Sequence, residues 1–119
     1  MAYVDGFVIP IKKKNIQAYR RMAKKAGKIW HEYGALDYKE CLGDDLKIKG
    51  VTSFVRLAKC RPGETVVFSW IVYRSKAHRN SVNAKIMKDP RIAALMGPGS
   101  QFFDLKRMAY GGFKILVDI

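Results

Sequence analysis

The chain has 119 residues, 49% hydrophobic and 12% aromatic, with 23 Lys and Arg against 10 Asp and Glu for a formal net charge of +13. That length suits one domain rather than two, with enough apolar mass to form a core without a disulfide or metal staple. Cys41 and Cys60 form no CxxC pair or zinc-spaced cluster, the first residues lack the pattern of a secretion signal, and no apolar run approaches the roughly 20 residues of a membrane span; the expectation is a reduced, cytoplasmic protein.

Tyr3 to Ile9 alternates with period two and predicts a strand that stops at Pro10. From Lys13 to Tyr33 the period changes: Ile16, Tyr19, Ala23, Ala26, Trp30 and Tyr33 recur at steps of three and four, one stripe of a helix. Gly34 stands where a left-handed helix cap is wanted. Leu36 to Leu42 alternates again, with Tyr38 and Glu40 on one side, and Gly43-Asp44-Asp45 opens a polar stretch ending near Gly50. Val51 to Leu57 reads as another strand, and Arg61-Pro62-Gly63-Glu64 as a turn. Thr65 to Tyr73, rich in β-branched and aromatic residues, is the strongest strand signal in the chain.

Ser75 can cap a second helix reaching about Lys88, with Val82 and Ile86 facing inward. Asp89-Pro90 predicts a short helix through Met96, stopped by Gly97-Pro98-Gly99. The closing strand is expected from about Phe103 to Val117, bent or bulged at Gly111-Gly112. With the Val51–Leu57 segment set aside as an extra hairpin arm, the order is β-α-β-β-α-β: an α+β, ferredoxin-like domain spanning residues 1–119, with both helices on one face of an antiparallel sheet.

The other face should then be polar on alternate residues if it meets water. Instead Val66, Phe68, Trp70 and Val72 oppose Val67, Ile71 and Tyr73, and Phe113, Ile115 and Val117 repeat the pattern. Four strands about 4.8 Å apart and six residues long leave roughly 400 Å² of apolar sheet per subunit, at the upper end of what monomers expose. A sheet-to-sheet homodimer is the expected way to bury it.

These residues resemble the YbaA-like family, small bacterial proteins of a domain of unknown function in the dimeric α/β-barrel superfamily. The resemblance is carried by Tyr3-Val4-Asp5-Gly6-Phe7-Val8, by Gly34 through Cys41, by Gly43-Asp44-Asp45, by Phe68 through Arg79, by Met87 to Arg91, and by Arg107 through Phe113. It implies a sheet-to-sheet dimer with a cleft between sheet and helices. Related barrels include cofactor-free oxygenases, haem-degrading enzymes and small-molecule isomerases, so a cofactor-independent reaction on a small molecule is one implication.

Polar groups on otherwise apolar elements are the candidates for chemistry. Asp5 and Glu40 lie on strands where an unpaired carboxylate is costly, so either is a general base with a raised pKa or half of an ion pair with Arg79 or Arg107. His78 and Arg79 open the second helix, where an anion is favoured. Tyr38, Trp70, Tyr73 and Trp30 are candidate walls for an aromatic ligand or plain core. His31 reads as a partner for the first helix's C-terminal dipole.

Asp44-Asp45 are two acids without further spaced metal ligands, and Cys41 has no partner base, so no metal is expected. No glycine-rich phosphate loop, nucleophile elbow or HExxH motif appears, and no cofactor is expected. Arg20, Arg21, Lys24, Lys25 and Lys28 form a basic helix face, read as a solvated surface or, alternatively, an RNA- or DNA-binding ridge. The leading expectation is a dimer binding a small anionic or aromatic metabolite in the sheet–helix cleft; a dimer with a purely structural or stress-related role and no ligand is the third alternative.

Overall fold

A computed structural model of the chain describes residues 1–97 and 102–119. Four strands, β1 (Tyr3–Lys12), β2 (Asp37–Leu42), β3 (Glu64–Tyr73) and β4 (Ala109–Lys114), form one sheet in the order β2-β3-β1-β4. Every neighbouring pair is antiparallel. Helices α1 (Ile16–Glu32) and α3 (Lys76–Lys88) cover one face, and α4 (Pro90–Leu95) packs beside them, giving the ferredoxin-like α+β layout. A four-residue helix, α2 (Phe54–Leu57), interrupts the excursion between β2 and β3. Among the described residues no helix is long and apolar enough to cross a membrane.

The core lies between the helices and the odd-numbered residues of the central strands. Ile9, Ile11, Val67, Ile71 and Tyr73 meet Tyr19, Met22, Ala23, Ala26 and Ile29 of α1 and Val82 and Ile86 of α3. The helix ends follow the expected chemistry. Ser75 Oγ accepts from the His78 N–H at 3.0 Å, and Asp89 Oδ1 accepts from the Arg91 N–H at 2.8 Å with Pro90 at the first helical position. Gly34 has φ +108, the left-handed geometry expected after α1.

Four expectations need correction. Pro10 does not end β1, which continues to Lys12. The ladder with β4 ends at Val8, so from Pro10 onward one side of β1 has no partner to miss a donor. Val51–Leu57 is not a strand. Ser53 Oγ caps the Arg56 N–H at 3.1 Å, and the three- and four-step spacing of Val51, Phe54 and Val55 belongs to a helical turn. The closing strand begins only at Ala109, because Asp104 caps a 3-10 turn at Leu105–Arg107. Its glycine pair is neither bulged nor bent: Gly111 faces Gly6 and Gly112 faces Asp5 in unbroken register. The Pro98-Gly99 part of the predicted stop lies outside the described residues.

The face carrying the even-numbered residues of β1 and β3 is apolar along those strands, with the Asp37 and Lys39 ion pair of β2 at its edge, and it is not wholly bare. Phe54 of α2 sits over Phe68, ring centroids 5.9 Å apart, and Val8, Leu57, Ala58 and Ala109 share one hollow. The excursion between β2 and β3 therefore covers one end of this face. Toward the other end Phe113 is 60% exposed, and beyond β4 the residues Leu116, Val117 and Ile119 are exposed as well.

Candidate functional site

Two polar clusters occupy the helix side of the sheet. The first is centred on Glu40, which β2 points toward α1. Tyr19 of α1 donates its hydroxyl to Glu40 Oε1 at 2.7 Å, and Tyr38, two residues earlier on the same strand face, donates to Oε2 at 2.8 Å. Ser69, directly across the ladder from Glu40, is buried beside it. Burial pushes the Glu40 carboxyl above its ordinary range, while hydrogen bonds from Tyr19, Tyr38 and Ser69 pull the other way without winning. Burial, followed by the Glu40 charge, drives both tyrosine hydroxyls well above the ordinary phenol value. The result is a carboxylate with an elevated affinity for protons, clasped by two neutral O–H donors.

The trio stands at a boundary. On one side an apolar cavity of about 150 Å³ lies between sheet and helix, lined by Phe7, Ile9, Met22, Trp30 and Met108 among others. On the other an open groove of about 670 Å³ runs between α1 and the edge strand β2. Tyr19, Tyr38 and Glu40 line both. An apolar cavity of about 150 Å³ is the size that accepts a benzene ring, so the inner space suits one ring or a short alkyl group. The groove is large enough for the rest of a metabolite.

The second cluster is centred on Asp5, which is only 1% exposed. Arg79 Nε donates to Asp5 Oδ1 at 2.9 Å, and Asn83 Nδ2 reaches Oδ2 at 3.4 Å. Tyr73 donates to Asn83 Oδ1 at 3.2 Å and accepts from Trp30 Nε1 at 3.1 Å. The Arg79 guanidinium also lies 5.2 Å over the Tyr3 ring. Gly112 leaves room for this: a Cβ there would fall 2.6 Å from Arg79 Nη2. All hydrogen-bonding capacity shown here is directed within the protein, as in an ion pair that fastens α3 to the sheet.

The four polar candidates therefore do not converge. Asp5 and Arg79 pair with each other. Arg107 pairs with neither carboxylate candidate but with Glu64, through two bonds of 2.7 Å. His78 sits at the start of α3 with its ring edge-on to Tyr73, 5.9 Å between centroids, and Nδ1 accepts the Arg74 N–H at 3.0 Å. Burial, then the charges of Arg74 and Lys85, lowers its proton affinity, so the ring is neutral with its proton on Nε2. Glu40 is the candidate left beside open space.

Of the aromatic candidates, Trp30 and Tyr38 pack 6.1 Å apart and line the inner cavity, and Tyr73 is fully buried behind them. Trp70 borders the cavity as part of β3, but its indole lies on the sheet's other face against Phe68, at 5.6 Å. That is the consequence of its even position in the strand, and it corrects the expectation of Trp70 as a cleft wall. Arg20, Arg21, Lys24, Lys25 and Lys28 are all exposed. Arg20, Lys24, Lys28 and His31 line the groove rather than facing away from it. Asp44 and Asp45 are exposed in a loop, and the described residues contain no group of three or more metal-ligating side chains.

Tyr19 and Ser69 were not singled out from the sequence. The signal for Tyr19 was present, since a tyrosine inside an otherwise aliphatic helix stripe must find a hydroxyl partner. Ser69, the one small polar residue in the strongest strand, carried the same signal.

The family described as "Protein of unknown function (DUF1428)" matches residues 2–104 of the chain. The chain is 45% identical over 118 residues to "Uncharacterized protein YbaA" of Escherichia coli (strain K12), covering 99% of both. Among solved structures, it is similar to a nipsnap family protein of unknown function from Agrobacterium tumefaciens str. C58, with TM-score 0.59 and 15% identity over 96% of this chain and 87% of that one. It is also similar to a dimeric ferredoxin-like protein from an uncultured marine organism, with TM-score 0.56 and 12% identity over the whole of both chains. At such identities the likeness to these two structures shows the fold alone.

Proposed function

We propose that this chain, which belongs to the DUF1428 family, binds a small aromatic, anionic metabolite in the cleft between α1 and the sheet and moves a proton on it without a cofactor. The observation that carries the reading is Glu40, a proton-hungry carboxylate held by Tyr19 and Tyr38 between the apolar cavity and the groove. A base of this kind suits removal of a proton from carbon next to a carbonyl. The C–H bond breaks, the proton passes to Glu40, and the electron pair is delocalised onto the carbonyl oxygen as an enolate. Once protonated, Glu40 is a poorer acceptor for the tyrosine O–H groups, which become free to donate to that oxygen. Returning the proton to a different atom would complete an isomerisation.

The apolar even-numbered sheet face supports a homodimer as the working form, each subunit carrying its own cleft. The experiment is a panel of aromatic keto and hydroxy acids, with binding followed by thermal shift and exchange of the ligand's acidic C–H for deuterium followed by proton NMR. At least one compound should bind, and Glu40→Gln should slow exchange by about 10² to 10⁴ while leaving binding in place. If no member of the panel binds, or the variant exchanges as fast as the natural protein, the reading fails.

A further inference from the structure

The groove outside the Glu40 trio carries a row of charge that proton transfer alone does not need. Arg20, Lys24 and Lys28 line it at successive steps of four residues, over a floor that includes Ala23, Gly27 and Leu42. At about 1.5 Å of rise per residue, the three positions span about 12 Å along the helix. Like charges at this spacing repel one another, and the sequence does nothing to relieve them. Glu32 is the one acidic residue on α1, and it is engaged with Arg91 at 2.7 Å. None of the three groove cations takes part in an ion pair among the described residues.

Glu40, the acidic residue of the groove lining, is already held by its two tyrosines. The groove is thus an apolar trough with a collinear cationic rim, and the Glu40 trio stands between it and a cavity for one ring. A single carboxylate would engage one of the three cations. A phosphate group, with more charge and several acceptor oxygens, can engage two or three, and lysine and arginine both suit it.

Resting on the cleft reading above, we infer that the ligand is a phosphate ester. Its phosphate end lies along Arg20, Lys24 and Lys28, and its apolar end passes Tyr19 and Tyr38 into the inner cavity. The charge is a recognition element of the cleft rather than a solvated surface or a ridge for a nucleic-acid backbone.

The test is calorimetric titration of the full chain at low salt with phenyl phosphate, phenol and inorganic pyrophosphate. The phosphate ester should bind at least about tenfold more tightly than the phenol, the increment of one well-placed charge contact, and pyrophosphate should bind more weakly than the ester. The double charge reversal Lys24→Glu with Lys28→Glu should abolish the preference. The reversal Arg21→Glu with Lys25→Glu should preserve it, since neither residue lines the groove.

Equal binding of ester and phenol overturns this inference and leaves the cleft reading standing; failure of both to bind removes both. Pyrophosphate binding as tightly as the ester, or equal losses from the two double reversals, would mean diffuse surface charge and would also overturn it. So would a short mixed RNA that outcompetes the ester.

Discussion

A Cβ at Gly27 would lie 2.8 Å from Cδ1 of Tyr38, closer than real side chains approach. The glycine weakens α1 by about 1 kcal/mol relative to alanine, and its benefit is a ring seated flat against the helix with its hydroxyl on Glu40. Gly27→Ala should therefore reverse the usual sign of such a change and destabilise the fold by about 1–3 kcal/mol through overpacking. Urea denaturation would read this directly; a stabilised variant would show that Tyr38 is free to move.

Glu40 also ties stability to pH. Its folded proton affinity lies above the ordinary value of 4.5, so the ionised form burdens the folded state at neutral pH. That burden fades as pH falls toward 4.5 and is gone below it. Measured against Glu40→Gln, the natural protein should gain stability as pH falls from neutral toward 4.5, and a constant difference would contradict the burial argument. The sequence exposed Glu40 and Tyr38 as a polar pair on one strand face. It did not expose Gly27 as the reason they fit, because that depends on how closely the helix approaches the sheet.

At the scale of elements, α3 is held by few contacts, and each is identifiable. Val82 and Ile86 enter the core, Ser75 caps the first turn, and Arg79 ties the helix to Asp5. Ile86→Ala should cost about 2–5 kcal/mol and Ser75→Ala about 1 kcal/mol. The start of β3 is fastened differently. Arg107 reaches Glu64 from beyond α4 and holds its carboxyl down to about 2.

That pairing contributes stability above the ordinary value of 4.5 and loses it as pH falls from there toward about 2. Arg107→Gln should flatten the acid limb of a thermal-melting profile in that window, and an unchanged limb would count against it. The first helix was legible because one apolar stripe runs its whole length, the second because Ser75 marks its start, and β3 because it is dense in β-branched and aromatic residues. The 51–57 segment was not, since four to seven residues fit either period and a single serine cap decides between them.

For the whole molecule, the governing fact is a sheet with two apolar faces and helices on one. The even-numbered face, partly roofed by α2, offers no more than roughly 400 Å², so pairing two copies buries about 800 Å². That falls short of the roughly 1,000 Å² a stable assembly should clear. The exposed tail of Leu116, Val117 and Ile119 lies beyond β4 and can supply the difference. The protein should sediment as a dimer at micromolar concentration. Phe113→Asp should dissociate it by burying a charge without a partner, with the helix-side core left intact. A natural protein that sediments as a monomer would remove the homodimer. The apolar pattern was readable in the sequence, whereas the roofing of one end was not, because it depends on where a short excursion lands.

The chain's two tryptophans are separated by the sheet itself: Trp30 lines the inner cavity, and Trp70 packs at a tilt against Phe68 on the far side. Each is a natural fluorophore in a different environment. With Trp70→Phe the emission would come from Trp30 and report occupancy of the cleft; with Trp30→Phe it would come from Trp70 and report contact between copies. One spectrometer and two variants would then distinguish a chain that meets a small molecule from a chain that meets itself.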